Sequence, residues 1–235
     1  MIKKPDEINQ IVNRYAKRRG INDDRYIFTN PSVFMSHQEK LKEILKVFRM
    51  AFPEVTLSEL KLIEVGCGSG DNLLDFLRCG FMPQNLCGIE LLPERVEAAR
   101  SRLPSALSVY ECDAKSADVA FNSLDVVVQS TVFSSILDDD FQQGLADHVW
   151  RWVKPGGGVL WYDFIYNNPS NPDVRGVPVN RVRQLFPNGK LTVKHITLAP
   201  PISRRVCRIH PNAYHLFNAL PLLRTHVLCW IEKTN

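Results

Sequence analysis

The stretch Lys61-Leu-Ile-Glu-Val-Gly-Cys-Gly-Ser-Gly-Asp71 decides the fold of this chain of 235 residues. Its first half is a short apolar run, as expected of a strand that is buried on both faces of a parallel sheet. The run stops in a turn that contains three glycines, Gly66, Gly68 and Gly70. A helical pattern begins directly afterwards at Leu73. A strand, a glycine turn and a helix together place backbone N–H groups where they can face a ligand.

A second strand is predicted downstream, in Asn85-Leu-Cys-Gly-Ile-Glu90, and it ends on an acidic residue. An acid at the tip of this strand can accept hydrogen bonds from both hydroxyls of a ribose. The two stretches together predict a site for a ligand that contains a nucleoside.

The spacing of the glycines distinguishes between two kinds of nucleoside ligand. The dinucleotide pattern G-x-G-x-x-G, begun at Gly66, requires glycine at position 71, but that residue is Asp71. A pyrophosphate at this helix start would meet the carboxylate, which is unfavourable. A ligand with an amino-acid tail and no phosphate has no such conflict, and Glu64 favours it further. An NAD-binding oxidoreductase is therefore the weaker hypothesis.

Glu64-x-Gly66-x-Gly68-x-Gly70 followed by Glu90 resembles the cofactor site of class I S-adenosylmethionine-dependent methyltransferases. The resemblance extends in chain order over residues 61–165. Three further segments resemble the family's adenine-binding acid, its fourth strand and its turn into strand five: Glu111-Cys-Asp113-Ala114, Leu124-Asp-Val-Val-Val-Gln129-Ser-Thr and Val153-Lys-Pro-Gly-Gly-Gly158-Val-Leu. The resemblance implies an α/β fold, with a Rossmann-like, seven-stranded, mostly parallel sheet flanked by helices.

The same resemblance implies that S-adenosyl-L-methionine is the cofactor and that no metal is required. Asp113 would line the adenine pocket with Ala114, although it is also a candidate N-cap of the short helix that follows. The hydroxyls after strand four would hold the methionine tail of the cofactor or the acceptor. The candidate cofactor-binding residues are Glu64, Gly66, Gly68, Gly70, Glu90, Leu91, Asp113, Ala114, Gln129, Ser130 and Tyr26.

The segment before strand one is predicted to form helices and a lid. Apolar residues at helical spacing predict a helix over residues 7–18, whose other face is basic and includes Arg14. That face is either solvated or a basic edge of the lid. In the polar loop that follows, Tyr26 either plugs the core or contributes to the substrate pocket.

His37 is a candidate catalytic base on this segment. Ser36-His-Gln-Glu39 reads as a capping box that starts a helix running to Pro53. In the first turn of a helix the positive end of the dipole favours a neutral imidazole, which a base requires. An exposed histidine without a role is the alternative.

Asp163 interrupts an apolar strand five near its carboxyl end, beside the expected position of the methyl donor. A buried carboxylate must be paired or have a raised pKa, and such a group can orient or deprotonate an acceptor. Asp163, Tyr166 and His37 are the candidate catalytic residues, and Asn167 is a further candidate contact. A structural aspartate bonded to the backbone is the alternative for Asp163.

The predicted domain organisation is an N-terminal helical and lid segment at 1–56 and a methyltransferase core at 57–235. Strands six and seven are predicted at 190–198 and 223–231, with an insertion between them at about 199–221. In that insertion Arg204, Arg205 and Arg208 form either a solvated basic turn or a grip for a phosphate or an anionic lipid head.

Composition limits the remaining classes. A hydrophobic content of 45%, a charged content of 23% and a net charge of +4 are ordinary for a globular protein. Nucleic acid is not expected as a partner, because nucleic-acid-binding domains are usually more basic. No apolar run reaches the length of a membrane span, and a cytoplasmic location is expected. The six cysteines have no zinc spacing and are predicted to be reduced and not catalytic.

The leading functional hypothesis is methyl transfer to a small molecule, at a hydroxyl of a sugar or glycan intermediate. Residues 25–34 and 163–169 resemble uncharacterised bacterial family members associated with polysaccharide-type gene sets. The alternatives are N-methylation of a small amine or of nucleic acid, and a protein that binds the cofactor without transferring methyl. The oligomeric state does not follow from the sequence.

Overall fold

The computed structural model describes residues 6–17, 27–169 and 171–234. The helices in these ranges are α1 (Glu7–Ala16), α2 (Pro31–Ala51), α3 (Asp71–Cys79), α4 (Pro93–Arg102), α5 (Asp139–Trp152), α6 (Val179–Leu185), α7 (Pro200–Ile209) and α8 (Ala213–Asn218). The strands are β1 (Leu62–Val65), β2 (Leu86–Glu90), β3 (Ser108–Glu111), β4 (Leu124–Ser130), β5 (Val153–Phe164), β6 (Lys190–Leu198) and β7 (Arg224–Glu232). Tyr26, one of the predicted cofactor contacts, lies outside the described residues.

The strands form one sheet in the order β3-β2-β1-β4-β5-β7-β6. Strands β1 to β5 are parallel, and β7 runs antiparallel to both of its neighbours, β5 and β6. The predicted seven-stranded, mostly parallel sheet is therefore confirmed. The strand order reverses between β1 and β4, and open α/β sheets bind ligands at the carboxyl ends of strands at such a point.

Alternation along the central strands divides the core into two layers. Every residue of β1 is buried, as the apolar run Leu62–Val65 predicts. Side chains of opposite parity pack on opposite faces of the sheet, because successive residues of a strand point in opposite directions. One layer contains Leu62, Val126 and Val128, and the other contains Ile63, Val65 and Val127.

The start of α2 differs from the prediction. The helix begins at Pro31, with Asn30 as its N-cap, because the Asn30 side chain accepts a hydrogen bond from the N–H of Ser32 at 3.0 Å. Proline is well suited to the first position of a helix. Ser36 lies inside the helix and donates to the carbonyls of Ser32 and Val33. The capping-box prediction was therefore wrong, and so was the placement of His37 in a first turn.

Two further predictions about surface segments need correction. Arg14 is not on a solvated face: it is buried, and its guanidinium donates to the Glu7 carboxylate at 2.7 Å and to the Ser135 carbonyl at 2.9 Å. The residues Arg204, Arg205 and Arg208 lie on helix α7 and not on a turn. The Pro200-Pro201 pair permits this helix start, because proline fits the first helical turn.

The β6–β7 insertion leaves the sheet at the same edge as the central strands. Since β6 runs parallel to β5, Leu198 lies at the carboxyl edge of the sheet, and Arg224 returns the chain there. Helices α7 and α8 thus flank the ligand edge. All six cysteines are free. Among the described helices, none combines the length and apolar character that crossing a membrane would require.

Candidate functional site

A cavity of about 580 Å³ lies at the carboxyl ends of β1, β2, β3 and β4. Its volume is in the range of pockets that hold a molecule of cofactor size. The strand ends supply one wall and helix α1 supplies another. Of the predicted cofactor residues, the cavity wall includes Glu64, Gly66, Gly68, Glu90, Leu91, Asp113, Ala114 and Ser130. Gly70 and Gln129 are not part of the wall.

The glycine turn leaves its backbone open towards the cavity. Gly66 and Gly68 have φ angles of +66° and +56°, which L side chains rarely adopt. A Cβ atom at Gly66 would approach Val132 within 2.5 Å, whereas one at Gly68 would meet no atom within 4 Å. The space beside Gly68 is therefore free for a ligand that comes close to the backbone.

Glu90 connects the glycine turn to the end of β2. Its Oε2 accepts from the N–H of Gly68 at 2.9 Å, and its Oε1 accepts from the N–H groups of Leu91 and Leu92 at 2.8 and 3.0 Å. An ionised carboxylate has about four acceptor sites. Glu90 thus retains capacity for one more donor, such as a ribose hydroxyl.

A buried polar corner lies beside the glycine turn. Lys40 of α2 donates to Asn72 Oδ1 at 2.8 Å, and Asn72 Nδ2 donates to Glu64 Oε1 at 2.5 Å. Within the described ranges, Glu64 Oε2 is buried without a hydrogen-bond partner. Burial raises the pKa of Glu64 to about 7 and lowers the pKa of Lys40. Lys40, Asn72 and Glu64 all line the cavity.

This corner fits the amino-acid end of S-adenosylmethionine. An unpartnered buried carboxylate oxygen is costly, and an ammonium group is a donor that would satisfy it. The ammonium of Lys40 in the same corner is a suitable partner for a carboxylate. A zwitterionic tail therefore finds a group of opposite charge for each of its ends.

Asp113 caps a short helix and also lines the cavity. Its Oδ1 accepts from the N–H of Lys115 at 3.1 Å, which caps the short 3₁₀ helix Ala114–Ser116. The residue also lines the cavity, next to the buried Ala114. The second carboxylate oxygen remains available to a donor on a ligand.

The end of β4 supplies hydroxyl groups to the cavity. Ser130, Thr131 and Ser135 line it, whereas Gln129 is buried and accepts from the N–H of Val132 at 3.1 Å. Thr131 has a φ of +59°, which is unusual for a β-branched residue. Its N–H donates to the Tyr162 carbonyl at 2.8 Å, a contact that holds the strained residue in place.

Helix α1 covers the cavity and is attached to the loop after β4. Glu7 accepts from Arg14 and from the N–H of Leu137 at 2.9 Å, so one buried ion pair joins α1 to this loop. Tyr15 OH lies 3.2 Å from Ser135 Oγ, and the guanidinium of Arg95 lies over the Tyr15 ring. The side chains that α1 adds to the wall are Ile8, Ile11 and Tyr15.

The three candidate catalytic residues do not line the cavity. Asp163 is 0% exposed and accepts from the N–H groups of Ser134 and Phe164 at 3.1 and 2.9 Å, and burial raises its pKa to about 7. His37 Nε2 lies 2.8 Å from Asp75 Oδ2. Tyr166 is 59% exposed after the carboxyl end of β5. The structure therefore does not bring these three side chains together.

Sequence reasoning did not identify Lys40, Asn72 and Tyr15 as parts of this wall. Asn72 is eight residues beyond Glu64, in the first turn of the helix that follows the glycine turn, and this spacing is a usable signal. Lys40 and Tyr15 come from helices whose docking on the sheet edge is not encoded in local spacing.

Comparison with known proteins agrees with this geometry. Residues 62–157 match the model of a methyltransferase domain family. Over 153 residues the chain is 28% identical to tRNA N(3)-methylcytidine methyltransferase Mettl2 of Drosophila melanogaster, covering 62% of this chain and 45% of that protein. The chain thus spans less than half the length of this curated relative.

Two solved structures illustrate the likeness in fold. Magnesium protoporphyrin IX methyltransferase from Synechocystis PCC 6803 with bound SAM has a TM-score of 0.61 at 10% identity, covering 99% of this chain and 100% of that one. Phosphoethanolamine N-methyltransferase 1 of Haemonchus contortus, in complex with phosphoethanolamine and S-adenosylhomocysteine, has a TM-score of 0.63 at 12% identity, covering 97% and 49%. At sequence identities this low, the similarity shows the fold alone.

The domain match, the strand order and the glycine turn with its flanking acids agree with one another. Residues 62–157 match a methyltransferase domain family, and the chain has the seven-stranded, Rossmann-like fold of S-adenosylmethionine-dependent methyltransferases.

Proposed function

We propose that the chain transfers the methyl group of S-adenosylmethionine to a hydroxyl oxygen of a small molecule, with a sugar or glycan intermediate as the acceptor. The observation that supports methyl transfer most directly is the corner of Glu64, Asn72 and Lys40 beside the open glycine turn. A buried carboxylate oxygen without a partner in the described residues, beside a half-buried lysine, is costly unless a ligand of complementary charge is part of the folded site.

In this proposal the residues of the cavity bind and orient the cofactor. Glu64 pairs with its ammonium, and Lys40 pairs with its carboxylate. Glu90 accepts from one ribose hydroxyl, while Asp113 accepts from the adenine amine. The sulfonium supplies an activated methyl group, so the chain contributes mainly alignment and exclusion of water.

The polar side chains at the end of β4 support the proposal that the acceptor is a sugar hydroxyl. Ser130, Thr131 and Ser135 offer uncharged hydroxyl oxygens, which can accept from the hydroxyls of a sugar. Because α1 covers this region, we expect a narrow acceptor molecule, whose hydroxyl can pass α1 and come next to the methyl group of the cofactor. Tyr166, exposed beyond β5, is the proposed catalytic residue that an acceptor can touch. Asp163 acts in this scheme by holding Ser134 in position.

Methyl uptake from isotope-labelled S-adenosylmethionine tests the acceptor class. The purified chain is incubated with glycan and small hydroxyl acceptors, with small amines, and with bulk tRNA. We expect label in an ether linkage on a hydroxyl acceptor. Label in the amine fraction, or no label in any hydroxyl acceptor, would contradict the proposed chemistry.

Methylation of a tRNA base is the second candidate function. The Drosophila melanogaster relative, named as a tRNA N(3)-methylcytidine methyltransferase, favours it. Uptake of label into tRNA that exceeds uptake into hydroxyl acceptors, at moderate salt, would put this candidate first. Salt matters because nonspecific binding of basic proteins to RNA weakens steeply as salt rises.

A further inference from the structure

One corner of the molecule exposes large apolar side chains that have no core to join. This corner, called here the α7–α8 corner, comprises residues 200–223. Leu222 is 94% exposed, Ile209 86% and Leu216 72%, and Leu220 is also exposed. Isolated surface leucines are normal, but several within one short insertion indicate an interaction surface.

The charged residues within the insertion itself all have one sign, although the Glu39 carboxylate of α2 contacts Tyr214 and Asn218 on its inner side. The chain contains no aspartate or glutamate between Asp173 and Glu232. Arg204, Arg205 and Arg208 lie on α7, whose inner residues, such as Val206, face the small core beside β6. Within the described part of the chain, these three guanidiniums have no hydrogen-bond or ion-pair partner. The corner therefore combines positive charge with exposed aliphatic side chains.

The corner lies at the ligand edge of the sheet. The insertion leaves β6 after Leu198 and enters β7 at Arg224, both at the edge where the central strands end. A shallow groove of about 750 Å³ lies between residues 27–31 and α7, with Arg204 and Arg208 in its wall. Ile27 and Phe28 beside this groove are exposed as well.

We propose that the α7–α8 corner docks on the surface of a bilayer that contains anionic lipids. Guanidiniums pair with phosphate head groups, and neighbouring aliphatic side chains enter the boundary between head groups and acyl chains. The combination of positive charge and exposed aliphatic side chains favours a bilayer over RNA and over a second copy of the chain. RNA would pair with the arginines but leave the leucines exposed. A second copy of the chain would cover the leucines but bring like charges together.

The docking is independent of methyl transfer. It would hold the ligand edge of the sheet beside the bilayer, so that acceptors carried on lipids come within reach. That consequence, unlike the docking itself, rests on the proposed function. Cofactor binding, measured separately by calorimetry, keeps a failure of one proposal distinguishable from a failure of the other.

Sedimentation with vesicles tests the docking. The full chain is mixed with vesicles of phosphatidylcholine alone and with vesicles that contain about 30% phosphatidylglycerol as the anionic lipid. We expect cosedimentation with the anionic vesicles, weakened by salt because the charges are screened.

Two variants separate the two components of the surface. Replacing Leu216, Leu220 and Leu222 by serine should reduce vesicle binding by roughly tenfold or more, since buried aliphatic area is lost. Replacing Arg204, Arg205 and Arg208 by glutamine should remove the preference for anionic vesicles. The three leucines, Arg205 and Arg208 are exposed and Arg204 is half-buried, so both variants should fold.

Matched controls remove similar groups elsewhere on the surface. Met50→Ser with Phe121→Ser removes exposed apolar side chains, and Lys42→Gln with Arg49→Gln and Arg151→Gln removes exposed charges. We expect both controls to bind vesicles like the wild type. Equal loss in the controls would overturn the assignment to this corner.

Three results would overturn the proposal. The first is wild-type protein that stays in the supernatant with anionic vesicles. The second is binding of bulk tRNA that depends on the arginines and not on the leucines, which would identify an RNA surface. The third is self-association in light scattering that the leucine variant abolishes, which would identify a surface between copies.

Discussion

Glu64 is the side chain whose environment bears most directly on cofactor binding. It is buried, one of its oxygens has no partner within the described ranges, and burial raises its pKa to about 7. A ligand ammonium beside it would favour the charged form and lower that pKa. Binding and ionisation of Glu64 are therefore expected to be coupled.

The coupling predicts a pH dependence of cofactor affinity. Below about pH 7 the free protein holds a proton on Glu64, and binding has to release it, so affinity should rise with pH by up to about tenfold per unit. Above that pH the affinity should level off. Calorimetric titration from pH 6 to pH 8 measures this. Glu64→Gln should bind more weakly and lose the slope; an unchanged slope in that variant would contradict the assignment.

Asp163 predicts a pH dependence of stability. Its folded-state pKa, raised to about 7 by burial, exceeds the ordinary value for aspartate. Such a group stabilises the fold at pH below the unfolded pKa, and the contribution is lost as pH rises through about 7. The wild type should therefore lose stability between pH 5 and pH 8, whereas Asp163→Asn should not. The difference in the free energy of unfolding, variant minus wild type, should rise by on the order of 2 kcal/mol over this range.

Denaturant unfolding at the two pH values checks this expectation, and a difference that does not change with pH would contradict it. Methyl transfer by the same variant addresses the catalytic hypothesis. Wild-type turnover in Asp163→Asn would leave this aspartate with a structural role, whereas reduced turnover at unchanged cofactor affinity would support a role towards the acceptor.

At single residues, eight of the predicted cofactor-binding residues lie in the cavity wall, and their role towards the cofactor stays a prediction. Glu64 lies one residue before the end of β1, Glu90 ends β2 and Asp113 follows β3, and the carboxyl ends of parallel strands meet at one edge. Lys40 and Tyr15 were not predicted, since they reach the cavity from separate helices. For Lys40, the apolar face of α2 indicated helix packing but not which polar residue would point at the sheet edge.

Helix α1 covers one side of the cavity. Arg14 joins it to the loop after β4, through the Ser135 carbonyl and the Glu7 carboxylate. Arg14→Ala would leave the buried Glu7 charge without its cationic partner, which is strongly unfavourable. We expect α1 to detach, so that the cofactor loses the part of the cavity wall that α1 supplies. Cofactor affinity should then fall by about tenfold, a change of the size that the loss of one charge-assisted hydrogen bond would cause. Titration calorimetry and limited proteolysis within α1 measure the two effects.

Asn13→Ala is the matched control for this prediction, because Asn13 lies on the exposed side of the same helix. It should bind the cofactor like the wild type. Wild-type affinity in Arg14→Ala would mean that α1 is not needed to enclose the ligand.

Glu39 attaches the β6–β7 insertion to α2. Its carboxylate accepts from Tyr214 OH and Asn218 Nδ2, each at 2.6 Å, and from the N–H of Thr197 at 3.0 Å. Glu39→Ala would leave the buried Tyr214 hydroxyl without this partner, so we expect a loss of about 1–3 kcal/mol in the free energy of unfolding. Chemical denaturation measures it, with the exposed Gln38→Ala as control; equal stabilities of the two variants would contradict the account.

The boundaries of elements show where local patterns mislead. Ser36 and Glu39 have the spacing of a capping box, but Asn30-Pro31 supplies an earlier start, and the helix continues through both residues. Glu39 was then free to bind the insertion, more than 150 residues away in the chain. No local pattern encodes such a contact.

For the molecule as a whole, the resemblance carried by the ordered motifs was sufficient to predict the sheet. Short apolar strands that alternate with helices indicate an α/β fold, and the resemblance implied the seven strands, mostly parallel, that the structure contains. The exposed character of the α7–α8 corner was not predictable, because an apolar helical segment looks the same whether it joins the core or faces outward.

The central claim is that this chain binds S-adenosylmethionine through the glycine turn and the flanking acids. Calorimetric titration of the purified protein with S-adenosylmethionine and, separately, with NAD tests it most directly, with Gly68→Val as a variant whose side chain would fill the space beside the turn. We predict micromolar binding of S-adenosylmethionine to the wild type, no binding of NAD, and no binding of either by the variant. Binding of NAD in preference to S-adenosylmethionine, or equal affinity in Gly68→Val, would contradict the account.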